Sequence, residues 1–162
     1  MQFSKSTSYA LHALIHLAHA NRGHNIGIKE LSASQGVPES YLSKIMSKLR
    51  QDGIVRAVTG ASGGYELARP ADQITFLDVI QVVEGRQHLY ECSNLNEQRH
   101  QFFFEAEALE ADIPDHPDDK ECMVKKVMNG AEQQLNQYLQ QHTIQSVLDA
   151  ASFACNDDVN KK

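Results

Sequence analysis

Residues 39–68 read ESYLSKIMSKLRQDGIVRAVTGASGGYELA. The stretch changes its period halfway along. From about Glu39 to Gln51, the apolar residues Leu42, Ile45, Met46 and Leu49 recur at the three- and four-residue spacing of a helix with one buried face. Asp52-Gly53 stops that helix. Two short β-prone runs follow, Ile54–Val58 and Tyr65–Ala68, on either side of Thr59-Gly60-Ala61-Ser62-Gly63-Gly64. A glycine-rich turn between β-prone runs predicts a hairpin.

The flanking residues extend the pattern on both sides. Upstream, Ser4 to Ala20 reads as a helix that buries Tyr9, Ala10, Ala13, Leu14 and Leu17, and Asn21-Arg22-Gly23 ends it. Ile28 to Ser34 is a short second helix with Ile28 and Leu31 inward, and Gln35-Gly36-Val37-Pro38 is a tight break. Downstream, Pro70 punctuates, and Thr75-Phe76-Leu77-Asp78 is a capping box. A fourth helix runs from there to about Glu84 with Leu77, Ile80 and Val83 inward. Helix, short helix, turn, helix, hairpin is the order of a winged helix-turn-helix.

The C-terminal half reads differently. Residues 85–121 form a long connection with little periodicity, and residues 105–121 carry eight acids against Lys120 alone. A connection of that length is a functional loop or a disordered one. Phe102-Phe103-Phe104 within it favours some ordered contact. Helical period returns from Met123 to about Gln141, through Val124, Val127, Met128, Ala131, Leu135, Tyr138 and Leu139. A last helix begins after Thr143 with Ile144, Val147 and Leu148. The expected fold is mainly α with a small β-hairpin wing, a winged helix-turn-helix plus a long C-terminal helix. The expected organisation is a winged-helix domain at 1–84, a long connection at 85–121, a long helix and C-terminal helix at 122–155, and a flexible tail at 156–162.

Charge is divided in the same place. The 162-residue chain carries a formal net charge of −6. Yet residues 1–70 hold eight of the fifteen Lys and Arg residues and four of the twenty-one acids. A basic first half on an acidic whole points to an anionic partner for that half. On the third helix, Ser40, Ser43, Lys44, Ser47 and Lys48 share the face opposite Leu42, Ile45 and Leu49. Small hydroxyls allow close approach to a DNA groove, and lysines meet phosphates. Tyr41 stands near the helix start, within reach of a backbone or a base edge. In the hairpin, Gly60, Gly63 and Gly64 permit approach to a sugar-phosphate rail, with Arg56, Thr59 and Ser62 as donors beside them. The bland alternative is a solvated amphipathic helix beside a structural hairpin.

These segments together resemble the Rrf2 family of bacterial winged helix-turn-helix regulators, of the IscR, NsrR, RirA and CymR type. The resemblance is carried by Phe3-Ser4-Lys5 with Tyr9-Ala10-Leu11, by Ile28-Lys29-Glu30-Leu31, by Ser40-Tyr41-Leu42, by Gly60 to Pro70, and by Ile74 to Ile80. It is strong over residues 1–85 and looser over 122–150. It implies a homodimer built on the helix at Met123–Gln141, with recognition helices in successive major grooves of a near-palindromic operator and wings in the flanking minor groove. The apolar stripe Val124, Val127, Met128, Leu135 and Tyr138 agrees, being more than so small a domain needs to bury alone.

Sensing members of that family hold an iron–sulfur cluster through cysteines between the fourth helix and the dimer helix. Cys92 matches the first family cysteine and Cys122 the last. The middle one has no counterpart, and Lys125 stands where a ligand histidine follows the last cysteine in IscR. Two thiolates do not complete a four-ligand site. Three readings stay open. A cluster, a [2Fe-2S] type favoured, is held by Cys92, Cys122 and other ligands. Some members use an acid near the start of the first helix, where this chain has Ser8; His12 one turn on is the best replacement, with His100, His116 and Glu105 as further candidates. Alternatively, Cys92 and Cys122 form a redox-switched disulfide, or they hold nothing. His16 and His19 continue the His12 face and read as a polar surface, and Cys155 beside Phe153 and Ala154 reads as packing.

Other classes fare worse. There is no P-loop, no G-x-S-x-G and no H-E-x-x-H, so an enzyme is not expected. The three cysteines contain no C-x-x-C pair, which excludes a disulfide-stapled mini-protein and a zinc ribbon. No apolar run reaches the roughly 18 residues of a membrane span, and the first residues show no secretory signal, so a cytoplasmic protein without a membrane partner is expected. A protein-interaction module that has lost DNA binding is the remaining rival, and Lys44, Lys48 and Arg56 argue against it.

Overall fold

The computed structural model describes residues 2–20, 24–60, 63–86, 88–91 and 122–159, with the helical backbone alone over 153–159. The elements are α1 (Lys5–His19), α2 (Ile28–Gln35), α3 (Glu39–Gln51), β1 (Val55–Val58), β2 (Gly64–Leu67), a single 3-10 turn (Ala71–Gln73), α4 (Phe76–Glu84), α5 (Met123–Gln141) and α6 (Ile144–Val159). The mainly helical architecture with a hairpin wing and a long helix near the C-terminus is the one expected from the sequence.

The chain divides into two compact units, residues 1–87 with 136–162, and residues 88–135. The core of the first lies among α1, α2, α3 and α4. Ala10, Ala13 and Leu14 of α1, Leu31 of α2, and Leu42, Met46 and Leu49 of α3 are fully buried there. Burial of each large aliphatic side chain is worth about 1.5–3 kcal/mol, so this stripe contributes strongly to the drive to fold. Thr7 is buried on α1 where Tyr9 was expected, and Tyr9 packs half-buried against the core.

Local chemistry explains the boundaries. Gly36 ends α2 in the left-handed region (φ 63), a conformation that glycine adopts without a Cβ penalty. At the start of α3, Tyr41 N–H and Leu42 N–H both donate to the Pro38 carbonyl at 3.1 Å. The α4 capping box forms as expected: Asp78 N–H donates to Thr75 Oγ1 and Thr75 N–H to Asp78 Oδ2, each at 3.1 Å. With Thr75 as the cap, the inward stripe of α4 is Val79, Ile80 and Val83. Leu77 was expected in that stripe and stands half-buried, because it lies about a third of a turn or more around the helix from Val79 and Val83.

The hairpin pairs antiparallel with Val55 opposite Leu67, Arg56 opposite Glu66, Ala57 opposite Tyr65 and Val58 opposite Gly64. Ile26 adds a one-residue third rail. Its N–H donates to the Tyr65 carbonyl at 3.0 Å, and Tyr65 N–H donates back at 2.9 Å. The wing is thereby tied to the segment leading into α2.

The C-terminal helix returns to this unit. Phe76 N–H donates to the His142 carbonyl and Ile144 N–H to the Ile74 carbonyl, both at 2.9 Å. Ile144 is fully buried. A second reciprocal cap starts α6: Ser146 N–H donates to Thr143 Oγ1 at 3.2 Å, and Thr143 N–H to Ser146 Oγ at 3.1 Å. In the other unit, the first part of α5 carries Glu132, which accepts from Leu89 N–H at 3.1 Å and lies 3.4 Å from His88 Nδ1. Among the described residues no helix is long and apolar enough to cross a membrane.

Candidate nucleic-acid interface

Helix α3 presents two faces of opposite character. Leu42, Ile45, Met46 and Leu49 are buried beneath it. Ser40, Lys44 and Lys48 are exposed, and Ser43 and Ser47 are half-buried beside them. Five residues of the expected recognition surface therefore stand on one outward face of one helix, as the spacing predicts.

Two members of that surface also have partners inside the protein. The Tyr41 hydroxyl lies 2.7 Å from Ser6 Oγ, and its ring meets Tyr9 edge-on at a centroid distance of 5.9 Å. Tyr41 therefore bridges α3 to α1 while staying 39% exposed. The Lys48 ammonium donates to the Val83 carbonyl at 3.1 Å. It reaches the last turn of α4, where unpaired carbonyls and the helix dipole both favour a cation.

The last residue of α4 completes this junction. Glu84 Oε1 accepts from Ser4 N–H at 2.7 Å and from Thr7 Oγ1 at 2.5 Å. A carboxylate at the start of α1 satisfies an orphan donor and meets the positive end of that helix. The Thr7 hydroxyl above all, with Ser4 and Lys48 adding to it, holds the Glu84 carboxyl below its usual range against the opposing effect of partial burial. Sequence reasoning missed this residue. Glu84 and Thr7 are 77 positions apart, and nothing in the local periodicity of either helix pairs them.

The wing is a tight turn. Gly63 N–H donates to the Gly60 carbonyl at 3.0 Å, and Gly60 has φ 124. A Cβ on Gly63 would stand 2.7 Å from the Val58 carbonyl oxygen. Thr59 and Gly60 are exposed, and Gly63 is half-buried. Arg56 Nε donates to its cross-strand neighbour Glu66 at 2.7 Å, with the Arg56 side chain 66% exposed. The guanidinium keeps further donors for a phosphate. Ser62 lies outside the described residues.

Of the candidate metal ligands, His12 and Cys122 fall within the described residues. His12 is exposed on α1, its Nδ1 2.8 Å from the Ser8 carbonyl one turn back. Cys122 is a half-buried free thiol at the start of α5, where its carbonyl accepts from Lys126 N–H at 2.9 Å. The two fall in different units of the chain. Cys92, His100, Glu105 and His116 lie outside the described residues, as does the side chain of Cys155. Among the described residues, no three His, Cys, Asp or Glu side chains gather as a metal-binding group. Cys122 offers one soft ligand, which fits one corner of a cluster site and leaves the rest of the ligand set to residues beyond it.

Comparison with known proteins adds independent weight. The family model Rrf2, described as an iron-dependent transcriptional regulator, matches residues 3–150. IscR of Cereibacter sphaeroides is 40% identical over 86 residues, 52% of this chain and 56% of that protein. A helix-turn-helix-type transcriptional regulator of Mycobacterium tuberculosis H37Rv is 40% identical over 85 residues, 52% and 53% of the two chains. The chain thus spans about half the length of the curated relatives it matches. Among solved structures, IscR of T. potens superposes with a TM-score of 0.67 at 25% identity, over 95% of this chain and 90% of that one. CymR of B. subtilis, described as a global cysteine regulator, shares the fold with a TM-score of 0.64 at 23% identity, over 93% and 98%.

Proposed function

The chain belongs to the Rrf2 family of transcriptional regulators, which bind DNA and are not enzymes, and from that premise we propose that it works as a homodimer on double-stranded DNA with a near-palindromic operator. The observation that carries the reading is the outward face of α3, where Ser40, Ser43, Lys44, Ser47 and Lys48 surmount a fully buried stripe and lead into a glycine-tight wing. Tyr41, Arg56, Thr59, Gly60, Ser62 and Gly63 complete the proposed contact set. Lysines and Arg56 meet phosphates; the small hydroxyls admit the helix to the major groove. The proposed organisation is a DNA-binding domain at 1–84, a sensor segment at 85–121 and a dimerisation helix with the C-terminal helix at 122–155.

The dimer surface is α5. Met123, Val124, Val127 and Tyr138 are more than half exposed, and a run of large exposed apolar side chains on one helix favours a partner. The proposed effector is an iron–sulfur cluster, a [2Fe-2S] type, bound by Cys92 and Cys122 with His12 as a further ligand. Such a cluster when bound supplies a one-electron redox change; the chain's own part is to offer thiolates and to transmit loop state to operator affinity. The iron-dependence by which the family is described supports this reading. The competing reading is a thiol pair or a cofactor-free regulator on the same scaffold. Operator binding by charge-reversed Lys44→Glu/Lys48→Glu protein tests the DNA function: retained affinity overturns it.

A further inference from the structure

We propose that Glu84 is a positioning residue for DNA binding, holding the recognition helix in place through Lys48. The inference rests on the DNA reading above and concerns how the α3 face is held. Three elements meet at the C-terminal turn of α4. Glu84 takes two hydrogen bonds from the start of α1, at Ser4 N–H and Thr7 Oγ1. The carbonyl of the preceding residue, Val83, takes the ammonium of Lys48 from α3. Adjacent residues of one helix end thus grip both neighbours, and one of the gripped groups is a cation of the proposed DNA surface.

The geometry gives each bond a separate task. The core beneath α3 fixes its distance from α1 and α4, since Leu42, Met46 and Leu49 are fully buried. Apolar contact is non-directional, and leaves rotation and sliding of a helix less constrained than a hydrogen bond does. The Lys48 bond supplies a directional restraint on the exposed side of α3. It holds only while the last turn of α4 keeps its carbonyls in place. Gly85 follows that turn with φ 93 and ends the helix. Glu84 anchors it to α1. Loss of the anchor lets the turn fray, and Lys48 then loses its acceptor. Val79 and Ile80, a turn further back, stay buried when the end of α4 loosens.

The test is a double-mutant cycle on DNA affinity. The probe is a duplex that wild-type protein enriches from a randomised pool. Dissociation constants are measured for wild type, Glu84→Ala, Lys48→Met and the double variant, with melting temperatures alongside. Glu84→Ala removes the acceptor of both bonds and is expected to weaken binding about three- to tenfold, and to weaken it no further in the Lys48→Met background. Thr7→Val removes one of the two donors and is expected to weaken binding in the same direction by a smaller factor, while Thr7→Ser keeps the hydroxyl and keeps wild-type affinity. If Glu84→Ala does not fold at the assay temperature, the Thr7→Val and Lys48→Met cycle gives the same reading. Additive losses in the cycle overturn the proposal, as does a Glu84→Ala affinity within twofold of wild type. A wild-type chain that enriches no duplex overturns the DNA reading itself and this inference with it; wild-type binding with an additive cycle overturns only the inference.

Discussion

A Cβ on Gly64 would stand 2.6 Å from the carbonyl oxygen of Ile26. The close approach exists because Ile26 bridges to Tyr65, the next residue of the wing strand, through two backbone hydrogen bonds. Gly64→Ala therefore forces backbone against backbone. Overpacking of this kind costs about 3 kcal/mol, at the upper end of the usual range. The expected melting-point drop is roughly 10 °C. Thermal unfolding followed by circular dichroism checks it, and an unchanged melting temperature would refute the bridge.

Most of the fold is legible in the sequence. The α3 helix and both hairpin strands were read from periodicity because each obeys a local rule: a 3.6-residue stripe, a glycine stop, two β-prone runs about a turn. The α4 cap was legible because Thr75 and Asp78 are three residues apart. Gly64 was read as permitting approach to DNA, whereas its immediate neighbour is the Ile26 carbonyl. Glu84 and Thr7 were not legible, nor was the return of Ile144 to the core beside Ile74. Those contacts join residues about seventy positions apart, and no local pattern encodes which distant partner a polar side chain or a short apolar run will meet.

Glu84 also gives stability a pH dependence. Its hydrogen bonds from Thr7 and Ser4 favour the charged form, so its folded pKa lies below the usual 4.5. A group depressed in the folded state contributes stability that is fully present above the unfolded value and is lost as pH falls through the folded one. The melting-temperature difference between wild type and Glu84→Gln is therefore expected to be constant near neutral pH and to shrink below about 4.5. Paired melts across that range measure it. A difference that grows on acidification would mean that the carboxylate is not held charged by these partners.

Lys44 is exposed on the outward face of α3. As a phosphate contact it releases a counterion on binding. Lys44→Gln is expected to reduce the magnitude of the salt slope by about one unit per bound lysine and to weaken binding uniformly across sequences. Titrations of one duplex at several salt concentrations give the slope. A weaker complex with an unchanged slope would place Lys44 away from the phosphates.

On α5, Val127 is 67% exposed, with Val124 at 57% and Tyr138 at 60%. A charge at the middle of an apolar interface is left desolvated and unpaired. Val127→Glu is expected to convert the proposed dimer to monomer in sedimentation equilibrium while the helical signal in circular dichroism persists. A wild-type chain that sediments as a monomer at the same concentration would remove the basis for this surface.

The sensor prediction turns on Cys122, a half-buried free thiol at the start of α5. Thiolates are the ligands that iron–sulfur clusters use most. Protein purified without oxygen is expected to absorb in the visible and to carry iron with acid-labile sulfide. Cys92→Ala and Cys122→Ala should each abolish both, because a site already short of thiolates has none to spare. His12→Ala should lower iron content while leaving the melting temperature of the iron-free protein unchanged, since His12 is exposed on α1. If reconstitution with iron and sulfide also yields a colourless, iron-free protein, the cluster reading fails. Mapping of the cysteines after mild oxidation then separates the two remaining readings: a Cys92–Cys122 disulfide establishes a thiol switch, and two free thiols establish a regulator that works without either.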